Sequence, residues 1–468
     1  PEDVSLTLGP TALRGADGKW SDGSRLAISG TDFTINGRIS AASGTVSLDT
    51  DGLVDSAPRV DRNIMVGSKA SISTAGQWQR DTRSTASGYV AKDGGSVTLD
   101  ADNDLVLNAG AVIDASAGAW QTVAGRTSLG DAGTVALGAG FEVGSGDFGS
   151  GATVGTYTGD LQLDGRVSAY AASLQGRSGD SGTLSLRSAA VAIDGGDTRL
   201  EGDTLYLSPT LFSAYGFGDI TVAGGNLVEL GREGAALSLT PQLVTRAIDG
   251  IGSASRTSLD GLGMLAIMPR AFRDEGMRLA FESASDLLGT VRVHEGTRIA
   301  VDAGGEIELS ANRSLEVAGQ LTAPGGRIAL RMAEPQQDDI YYGASIFVAP
   351  SAKLDVSGTF VATPNIPYVD GTLYGGGTID IAARRGYLVI QEGAELRADG
   401  SSAVLTQRIG SLGTLTPTRI DSSGGLIALN AREGLYADPL LSAKAGGANA
   451  YGGALSVTLD QGSNNWGD

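Results

Sequence analysis

The chain of 468 residues carries 34 basic and 53 acidic side chains, which gives a formal net charge of −19. This acidity, without any block of lysine or arginine, argues against nucleic-acid binding. The 71 glycines and the aromatic content of 5% disfavour ordinary compact cores. The absence of cysteine excludes disulfides, thiolate metal sites and cysteine nucleophiles.

Short apolar pairs with a period of two first stand out in "GGSVTLDADNDLVLNAGAVIDASAGA", which begins at Gly94. Val97 and Leu99 form one pair, Leu105 and Leu107 form a second, and Ile113 follows. Alternation of this kind predicts half-buried β-strands. Each unit therefore contains three short strands with little between them.

The same unit recurs along the chain. Copies begin at Gly304 and Gly376, and their apolar positions are Ile307, Leu309, Leu315, Val317 and Leu321, then Ile379, Ile381, Leu388, Ile390 and Leu396. A glycine-started repeat of roughly 20 to 28 residues is typical of coiled β-solenoids. We expect apolar side chains to stack from rung to rung, with glycine at corners that require positive φ.

Residues 1–200 are predicted to form β-helix with side loops. Two loops carry the pairs Trp78-Gln79 and Trp120-Gln121, 42 residues apart, which suggests duplication of a longer unit. The favoured interpretation is an indole folded against the flank of the solenoid, and the alternative is a binding role.

Residues 201–290 have a different character. The segments "TPQLVTRAIDG" and "PRAFRDEGMRLAFESASD" have helix-compatible spacing, with Thr240 and Pro241 as a plausible N-cap and first turn. Met264, Met268 and Met277 also cluster here, and methionine fills irregular apolar gaps. We therefore predict an irregular or partly helical excursion that packs on the solenoid.

Residues 291–468 are predicted to return to β-helix with aromatic side loops. Two excursions, from Glu334 and from Phe360, concentrate tyrosines in a chain otherwise poor in aromatic residues. The candidate binding residues are Tyr341, Tyr342, Tyr368 and Tyr374. Loops on a rigid scaffold are where binding residues accumulate. The alternative is that these tyrosines pack together and seal the rungs beneath them.

The sequence offers little for catalysis. His294 is the sole histidine, which excludes a histidine-based triad and a multi-histidine metal site. Asp338 and Asp339 are the most conspicuous acidic pair, but adjacent residues of a strand face opposite ways. We expect acidic residues of neighbouring rungs to occupy different offsets from the opening glycine, and we therefore predict no enzyme.

One acidic turn is a candidate calcium site. "DADND" begins at Asp100, but Leu105 and Ala111 stand where an EF-hand loop needs glycine and glutamate. Asp100, Asp102 and Asp104 are predicted to form a polar turn between two strands. One weak calcium site there stays open, and no metal or cofactor is otherwise predicted.

Several stretches resemble the repetitive body of filamentous haemagglutinin-like exoproteins, the secreted partners of bacterial two-partner secretion systems. They are "LYLSPTLFSAYGFGDITVAGG" from Leu205, "VRVHEGTRIAVDAGGEIELSANRSLEVAGQLTAPGGRIAL" from Val291, "RGYLVIQEGAELRADGSSAVL" from Arg385 and "SSGGLIALNAREGLYADPLLSAKAGGANAYGGALSVTL" from Ser422. The resemblance implies an all-β fold, a right-handed parallel β-helix, with loop and short-helix excursions. It also implies export through an outer-membrane transporter and adhesion or aggregation at the cell surface. The asparagine-rich secretion motifs of the family are absent from this sequence.

No uninterrupted apolar run approaches the roughly 18 to 20 residues that span a bilayer. The start of the sequence lacks the sections of a signal peptide, and both ends interrupt the repeat, so we expect a segment of a longer protein. The predicted function is a structural and adhesive stalk of a secreted bacterial surface exoprotein. Its expected partners are a glycan or protein of a host or neighbouring cell, the two-partner transporter during export, and other copies by lateral self-association. The alternatives are a β-helix lyase or glycoside hydrolase, and the stick of a contact-dependent toxin-delivery protein.

Overall fold

The computed structural model describes residues 5–8, 24–50, 62–81, 90–143, 156–194, 204–249, 257–260, 262–285, 288–332, 344–409 and 414–459. Most of these residues lie in short strands that pair in parallel with strands one turn of the chain away. The protein is therefore a parallel β-helix, as the sequence predicts.

The first part of the chain contains short strands separated by turns. In chain order they are β1 (Ser5–Leu8), β2 (Arg25–Ser29), β3 (Phe33–Ile35), β4 (Arg38–Ala41), β5 (Thr45–Asp49), β6 (Ile64–Val66), β7 (Ser71–Ser73), β8 (Gln77–Arg80), β9 (Ser96–Ala101), β10 (Leu105–Leu107), β11 (Val112–Asp114), β12 (Ala119–Gln121), β13 (Thr127–Leu129), β14 (Thr134–Ala139), β15 (Phe141–Val143), β16 (Thr156–Thr158), β17 (Leu161–Leu163), β18 (Arg166–Ser168), β19 (Ala172–Leu174), β20 (Arg177–Ser178) and β21 (Gly182–Ile193).

The middle part contains the longest strand and the described helical residues. Its elements are β22 (Thr204–Tyr206), α1 (Leu211–Ala214), β23 (Phe217–Leu230), β24 (Leu237–Leu239), β25 (Val244–Ala247), β26 (Thr257–Ser258), β27 (Met264–Ile267), a single 3-10 turn (Arg270–Phe272) and β28 (Arg278–Ser283).

The last part repeats the three-strand unit most regularly. Its strands are β29 (Thr290–Val293), β30 (Thr297–Ala300), β31 (Glu306–Ala311), β32 (Ser314–Val317), β33 (Gln320–Thr322), β34 (Arg327–Met332), β35 (Ser345–Val348), β36 (Lys353–Asp355), β37 (Phe360–Ala362), β38 (Gly371–Leu373), β39 (Thr378–Ala383), β40 (Tyr387–Ile390), β41 (Glu395–Arg397), β42 (Ser402–Ile409), β43 (Thr414–Asp421), β44 (Leu426–Ala431), β45 (Gly434–Ala437), β46 (Leu440–Ser442) and β47 (Ala454–Leu459).

The opening strands of the rungs form one continuous parallel stack, which we call the opening stack. Its order is β2, β5, β9, β14, β21, β23, β28, β31, β34, β39, β44 and β47. One inward column of this stack contains Val46, Val97, Val135, Leu184, Ile220, Leu279, Ile307, Ile328, Ile379 and Ile427, all of them buried. Rung-to-rung stacking of apolar side chains is thus confirmed.

The second and third strands of the rungs form two further stacks. The third stack runs from β1 through β4, β7, β11 and β18, and then from β24 through β30, β33, β36, β41 and β46. The short helix α1 occurs in the chain between these two runs, and it buries Leu211 and Phe212 in the core. The ring of Phe212 lies 6.2 Å from that of Phe281 of β28, so aromatic bulk fills the core here.

The opening glycines are required for two reasons. Gly304 and Gly325 adopt the positive φ that the sequence predicts, 72° and 61°. Gly377 adopts no positive φ, but a Cβ placed on it would lie 2.0 Å from the carbonyl oxygen of Gly326 on the preceding rung. Gly326 and Gly425 make the same approach to the rung before each of them, at 1.9 Å. Backbone therefore touches backbone at this corner, and a side chain has no space there.

The two segments with helix-compatible spacing between Thr240 and Ser285 contain strands, and their helical content is limited to the 3-10 turn at Arg270–Phe272. Val244–Ala247 forms strand β25, and Arg278–Ser283 forms strand β28 of the opening stack. Leu279 and Phe281 are buried with a period of two, and this pattern outweighs the helical spacing once the opening stack is available. Met268 and Met277 are buried beside Leu243, whereas Met264 is 77% exposed.

Candidate binding site

Two small sheets stand beside the solenoid on one flank. The first side sheet has the order β13, β12, β8 and β26, and the second has the order β20, β19, β25 and β27. β8 and β12 pair in parallel, whereas β26 pairs with β8 in the antiparallel sense. Strands β25 and β26 thus return to pair with strands from much earlier in the chain, and β27 pairs with β25, which attaches the middle excursion to this flank.

The two tryptophan loops lie side by side but out of step by one residue. Trp78 pairs with Ala119, and Trp120 pairs with Gln79. Because alternate residues of a strand face opposite ways, Trp78 is 2% exposed while Trp120 is only half-buried. Trp120 Nε1 donates to Asp81 Oδ2 at 2.9 Å. The predicted packing of an indole against the flank is therefore confirmed for Trp78.

A second apolar cluster, the flank core, joins the two side sheets. Its buried members are Trp78, Ala117, Ala119, Ala172, Ile248 and Leu259, and Leu129 and Leu174 pack against it. It is separate from the core of the solenoid. Burial of this apolar surface gives the side sheets a fixed position on the rod.

A cavity of about 620 Å³, the flank cavity, opens beside the flank core. The turn of the β12–β13 hairpin, the turn of the β19–β20 hairpin and the residues after β25 line it. Its polar side chains are Gln121, Arg126, Thr127, Gln175, Arg177 and Asp249. The duplicated Trp-Gln pairs of the sequence pointed to Trp78 and Gln121 but not to the other lining residues, because those meet only when the hairpins assemble.

Two of the four tyrosines predicted to bind, Tyr368 and Tyr374, lie among the described residues. Tyr341 and Tyr342 lie outside the described residues. Tyr368 is 43% exposed between β37 and β38, and the backbone of the next residue, Val369, accepts a hydrogen bond from Thr406 of β42. Tyr374 instead packs on a corner of the solenoid, because Cβ atoms placed at Gly304 and Gly325 would meet its side chain at 3.0 and 2.5 Å.

The ring of Tyr374 also lies under a cation. The guanidinium carbon of Arg270 is 5.5 Å from the ring centroid, and Arg270 Nε donates to the carbonyl of Ala303 at 2.6 Å. Tyr374 thus links the middle excursion to the later rungs. For this tyrosine the geometry fits the sealing alternative.

A different aromatic pair is exposed on the second strands. The rings of Tyr387 and Tyr436 lie 6.3 Å apart, and they are 44% and 65% exposed. A Cβ on Gly434 would lie 2.8 Å from the Tyr387 ring, so this glycine leaves room for the ring. Both tyrosines stand at outward-facing positions of their strands, which is a signal that the sequence carries. The prediction was based on tyrosine-rich loops and did not use strand positions.

The expectation that acidic residues of neighbouring rungs differ in offset is wrong for Asp49 and Asp100, which share a register on β5 and β9.

Charged side chains also align further along the opening stack. Arg278, Glu306 and Arg327 share one register, and Glu308 and Asp380 share another. The sequence carried this signal, because Glu308 and Asp380 both stand four positions after the first glycine of their rungs, Gly304 and Gly376. We call this surface the charged ladder.

Ion pairs connect the charged ladder across the rungs. Arg278 donates to Asp219 at 3.1 Å and to Glu308 at 2.9 Å, and Arg327 donates to Glu306 at 3.1 Å and to Asp380 at 2.7 Å. Burial opposes the charge of Arg278, but the hydrogen bonds to Asp219 and Glu308 outweigh it and raise its pKa. The arrangement is thus one of mutual neutralisation.

His294, the lone histidine, directly follows β29 and has charged neighbours. His294 Nε2 is 3.5 Å from Glu229 Oε1, and Arg292 bridges Glu229 at 3.2 Å and Glu316 at 2.8 Å. Arg292, His294 and Glu316 border an open cavity of about 490 Å³, for which Phe347 provides apolar surface. The predicted acidic pair, Asp338 and Asp339, lies outside the described residues.

The three aspartates of the calcium candidate are engaged elsewhere. Asp100 pairs with Arg187, Asp102 pairs with Arg62, and Asp104 Oδ1 accepts from the backbone N–H of Asp160 at 3.0 Å. Throughout the described ranges, no group of three or more acidic or histidine side chains is arranged to hold a metal ion.

Comparison with known proteins returned no match to a family model, to a curated protein or to a solved structure. Within the described residues, no helix is both long and apolar enough to cross a membrane.

Proposed function

We propose that this chain is a stalk segment of a large secreted bacterial surface exoprotein and that it mediates attachment or cell-to-cell aggregation. The observation that carries the proposal is the opening stack, in which twelve described strands pair in parallel without a break. At about 4.8 Å per rung, this stack alone extends for about 50 Å. A rigid rod of this kind suits the display of binding surfaces away from a cell.

The mechanism would be mechanical and multivalent. Backbone hydrogen bonds between rungs hold the rod, and the side sheets and hairpins present side chains at fixed positions along it. Weak contacts that repeat on a rigid support can raise the overall binding strength by about 10² to 10⁴ through effective concentration. The partner would be a glycan or protein on a host or neighbouring cell.

The proposal includes surface localisation and export through a transporter of the two-partner type. It rests on the resemblance of the repeats to filamentous haemagglutinin-like exoproteins and on a composition without cysteine. Lateral self-association belongs to the same proposal. The net charge of −19 gives neighbouring rods a self-repelling surface that limits such association at low salt.

Attachment can be tested with beads that carry the purified chain. We expect such beads to be retained on bacterial or epithelial cells, and we expect soluble chain to compete only at much higher concentration than bead-bound chain. Beads with an unrelated acidic protein of similar mass control for charge. Retention no greater than that of these control beads would overturn the attachment proposal.

The second candidate function, a polysaccharide lyase or glycoside hydrolase, is favoured by the charged ladder alone. Aligned carboxylates and guanidiniums on a β-helix face could bind and cleave an acidic polysaccharide, and Glu308 with Asp380 would be the central carboxylates. Against it, both carboxylates are already held by arginines at 2.7 to 2.9 Å. Reducing-end release from a polysaccharide panel by the intact chain, with loss in Glu308→Gln, would replace the stalk proposal with this one.

A further inference from the structure

The flank cavity is large enough for a small organic ligand and is built from three separate parts of the chain. Its volume of about 620 Å³ falls within the range of known ligand pockets. The two hairpin turns and Asp249 surround it, and Leu174 and Ile248 provide an apolar wall. The flank core beneath holds these parts in place, so the cavity is formed before any ligand arrives.

The first indication of a ligand at the flank cavity comes from Trp78. Its side chain borders the flank cavity, and its indole Nε1 is buried without a hydrogen-bond partner in the described structure. An unpaired buried donor of this kind is unfavourable, because it has lost its hydrogen bond to water without gaining another. Trp120, the other tryptophan of the duplicated loops, has its donor satisfied by Asp81 at 2.9 Å. The cost is therefore confined to the tryptophan at the cavity.

Gln175 supplies the second sign. It occupies the first central position of the tight turn between β19 and β20, with a positive φ of 48°, and Gly176 follows with a φ of 75°. Asparagine, aspartate or glycine normally fills the first position of such a turn. The longer glutamine is unfavourable for the backbone, but it places an amide at the rim of the flank cavity.

The polar groups of the cavity are mostly donors. Arg126 and Arg177 form no ion pair within the described ranges, whereas Asp249 is the single carboxylate of the lining. Two guanidiniums at one cavity are notable in a chain with a net charge of −19. Arginine binds carboxylates with paired, charge-assisted hydrogen bonds. The charge of the site thus favours an anionic ligand.

We propose that the flank cavity binds a sugar acid, that is, a monosaccharide unit with a carboxylate. Arg126 and Arg177 bind the carboxylate. Gln121 and Gln175 donate hydrogen bonds to the hydroxyl groups and accept from them, and Asp249 accepts from them. Leu174 and Ile248 pack against the C–H face of the ring, and the Trp78 N–H gains an acceptor. This proposal identifies the class of glycan for the attachment function proposed above, and its biological use rests on that function.

The binding test uses the intact chain and isothermal titration calorimetry with glucuronate, glucose and acetate as probes. We expect glucuronate to bind more tightly than either glucose, which lacks the carboxylate, or acetate, which lacks the ring. An indole N–H resonance that disappears in Trp78→Phe should shift when glucuronate is added. Equal binding of acetate and glucuronate, or no heat and no shift with glucuronate, would overturn the proposal.

Matched variants assign the binding to the cavity. Arg177→Gln changes an exposed side chain and should weaken glucuronate binding about tenfold, the effect of losing one charge-assisted hydrogen bond. Trp120→Phe, whose indole is already hydrogen-bonded outside the cavity, should leave the affinity unchanged. If Arg177→Gln binds as tightly as the parent, the cavity is not the site. Bead attachment is scored separately, so attachment that persists without glucuronate binding would remove this inference and leave the stalk.

Discussion

Arg62 Nη1 lies 2.7 Å from Asp102 Oδ2, and the side chains of the two residues are only 6% and 11% exposed. They belong to neighbouring rungs, where Arg62 precedes β6 and Asp102 follows β9. The backbone N–H of Asp102 also donates to Thr50 Oγ1 at 2.7 Å. An aspartate of the candidate calcium turn therefore ties two neighbouring rungs together through its carboxylate and its backbone N–H.

Replacement of Asp102 by alanine should destabilise the protein strongly. The change leaves the guanidinium of Arg62 buried without its carboxylate, and breaking a buried pair in this way costs about 3–5 kcal/mol. The measurement is the free energy of unfolding in urea. The exposed pair of Lys353 and Glu395, 2.8 Å apart, provides the control. Lys353→Gln should cost less than about 1 kcal/mol, and equal costs for the two variants would contradict the assignment.

Gly377 should tolerate no side chain, because the backbones of neighbouring rungs are in contact there. Gly377→Ala would place a methyl group 2.0 Å from the carbonyl oxygen of Gly326, so neighbouring rungs must separate or shift. We expect a loss of about 1–3 kcal/mol in urea unfolding. Gly452→Ala is the matched control, because its nearest contact would be an ordinary 3.6 Å to Ala443. A Gly377→Ala variant as stable as Gly452→Ala would show that the rungs are not in close backbone contact.

The stacked core could be predicted from the sequence because the inward positions of each rung are apolar and lie close together in the chain. Leu388, Ile390 and Leu396 sit within one unit, and all three are buried as the period of two requires. The positions of the glycines were also evident from the sequence, but the backbone contact that requires glycine at Gly377 was not. Contact between the backbones of Gly326 and Gly377 is a property of the stacked rungs and has no local signature.

The flank could not be predicted in the same way. Ala172 pairs with Arg246 between strands from distant parts of the chain, and the loops that join them set that register. The short strand at Val244–Ala247 has no clear alternation, so the helical spacing of its surroundings led to the wrong prediction. The flank cavity depends on these long-range pairings, and among its lining residues Trp78 and Gln121 carry a sequence signal, since both belong to the duplicated Trp-Gln pairs.

Tyr374 should contribute more to the free energy of unfolding than Tyr368. Tyr374→Ala removes a ring that packs over Gly304 and beside Arg270, and we expect a loss of about 1–3 kcal/mol in urea unfolding. Tyr374→Phe keeps the ring and should retain most of that stability. Tyr368→Ala should change stability by less than about 0.5 kcal/mol, because its ring is 43% exposed. A Tyr374→Ala variant that is as stable as Tyr368→Ala would reopen a binding role for Tyr374.

Glu282 and Glu395 should contribute to the pH dependence of stability with opposite signs, because their pKa values are shifted in opposite directions. Burial, together with the negative charge of Glu308, raises the pKa of Glu282 above its ordinary value of 4.5. The folded protein therefore holds this proton more tightly than the unfolded chain, and its stabilising effect is lost as pH rises through the folded pKa. Glu282→Gln should match the parent below the ordinary pKa. It should be more stable by less than about 1 kcal/mol near neutral pH.

Glu395 provides the comparison of opposite sign. Its hydrogen bond from Lys353 lowers the pKa of its carboxyl below 4.5. The ionised form is favoured by folding, so the stabilisation is present above the ordinary pKa and is lost as pH falls through the folded pKa. Glu395→Gln should be less stable than the parent near neutral pH and equal to it in acid. Urea unfolding of both variants from about pH 4 to about pH 7 measures the two slopes. If the stability difference from the parent changes with pH in the same direction for both variants, Glu282 is not held near Glu308.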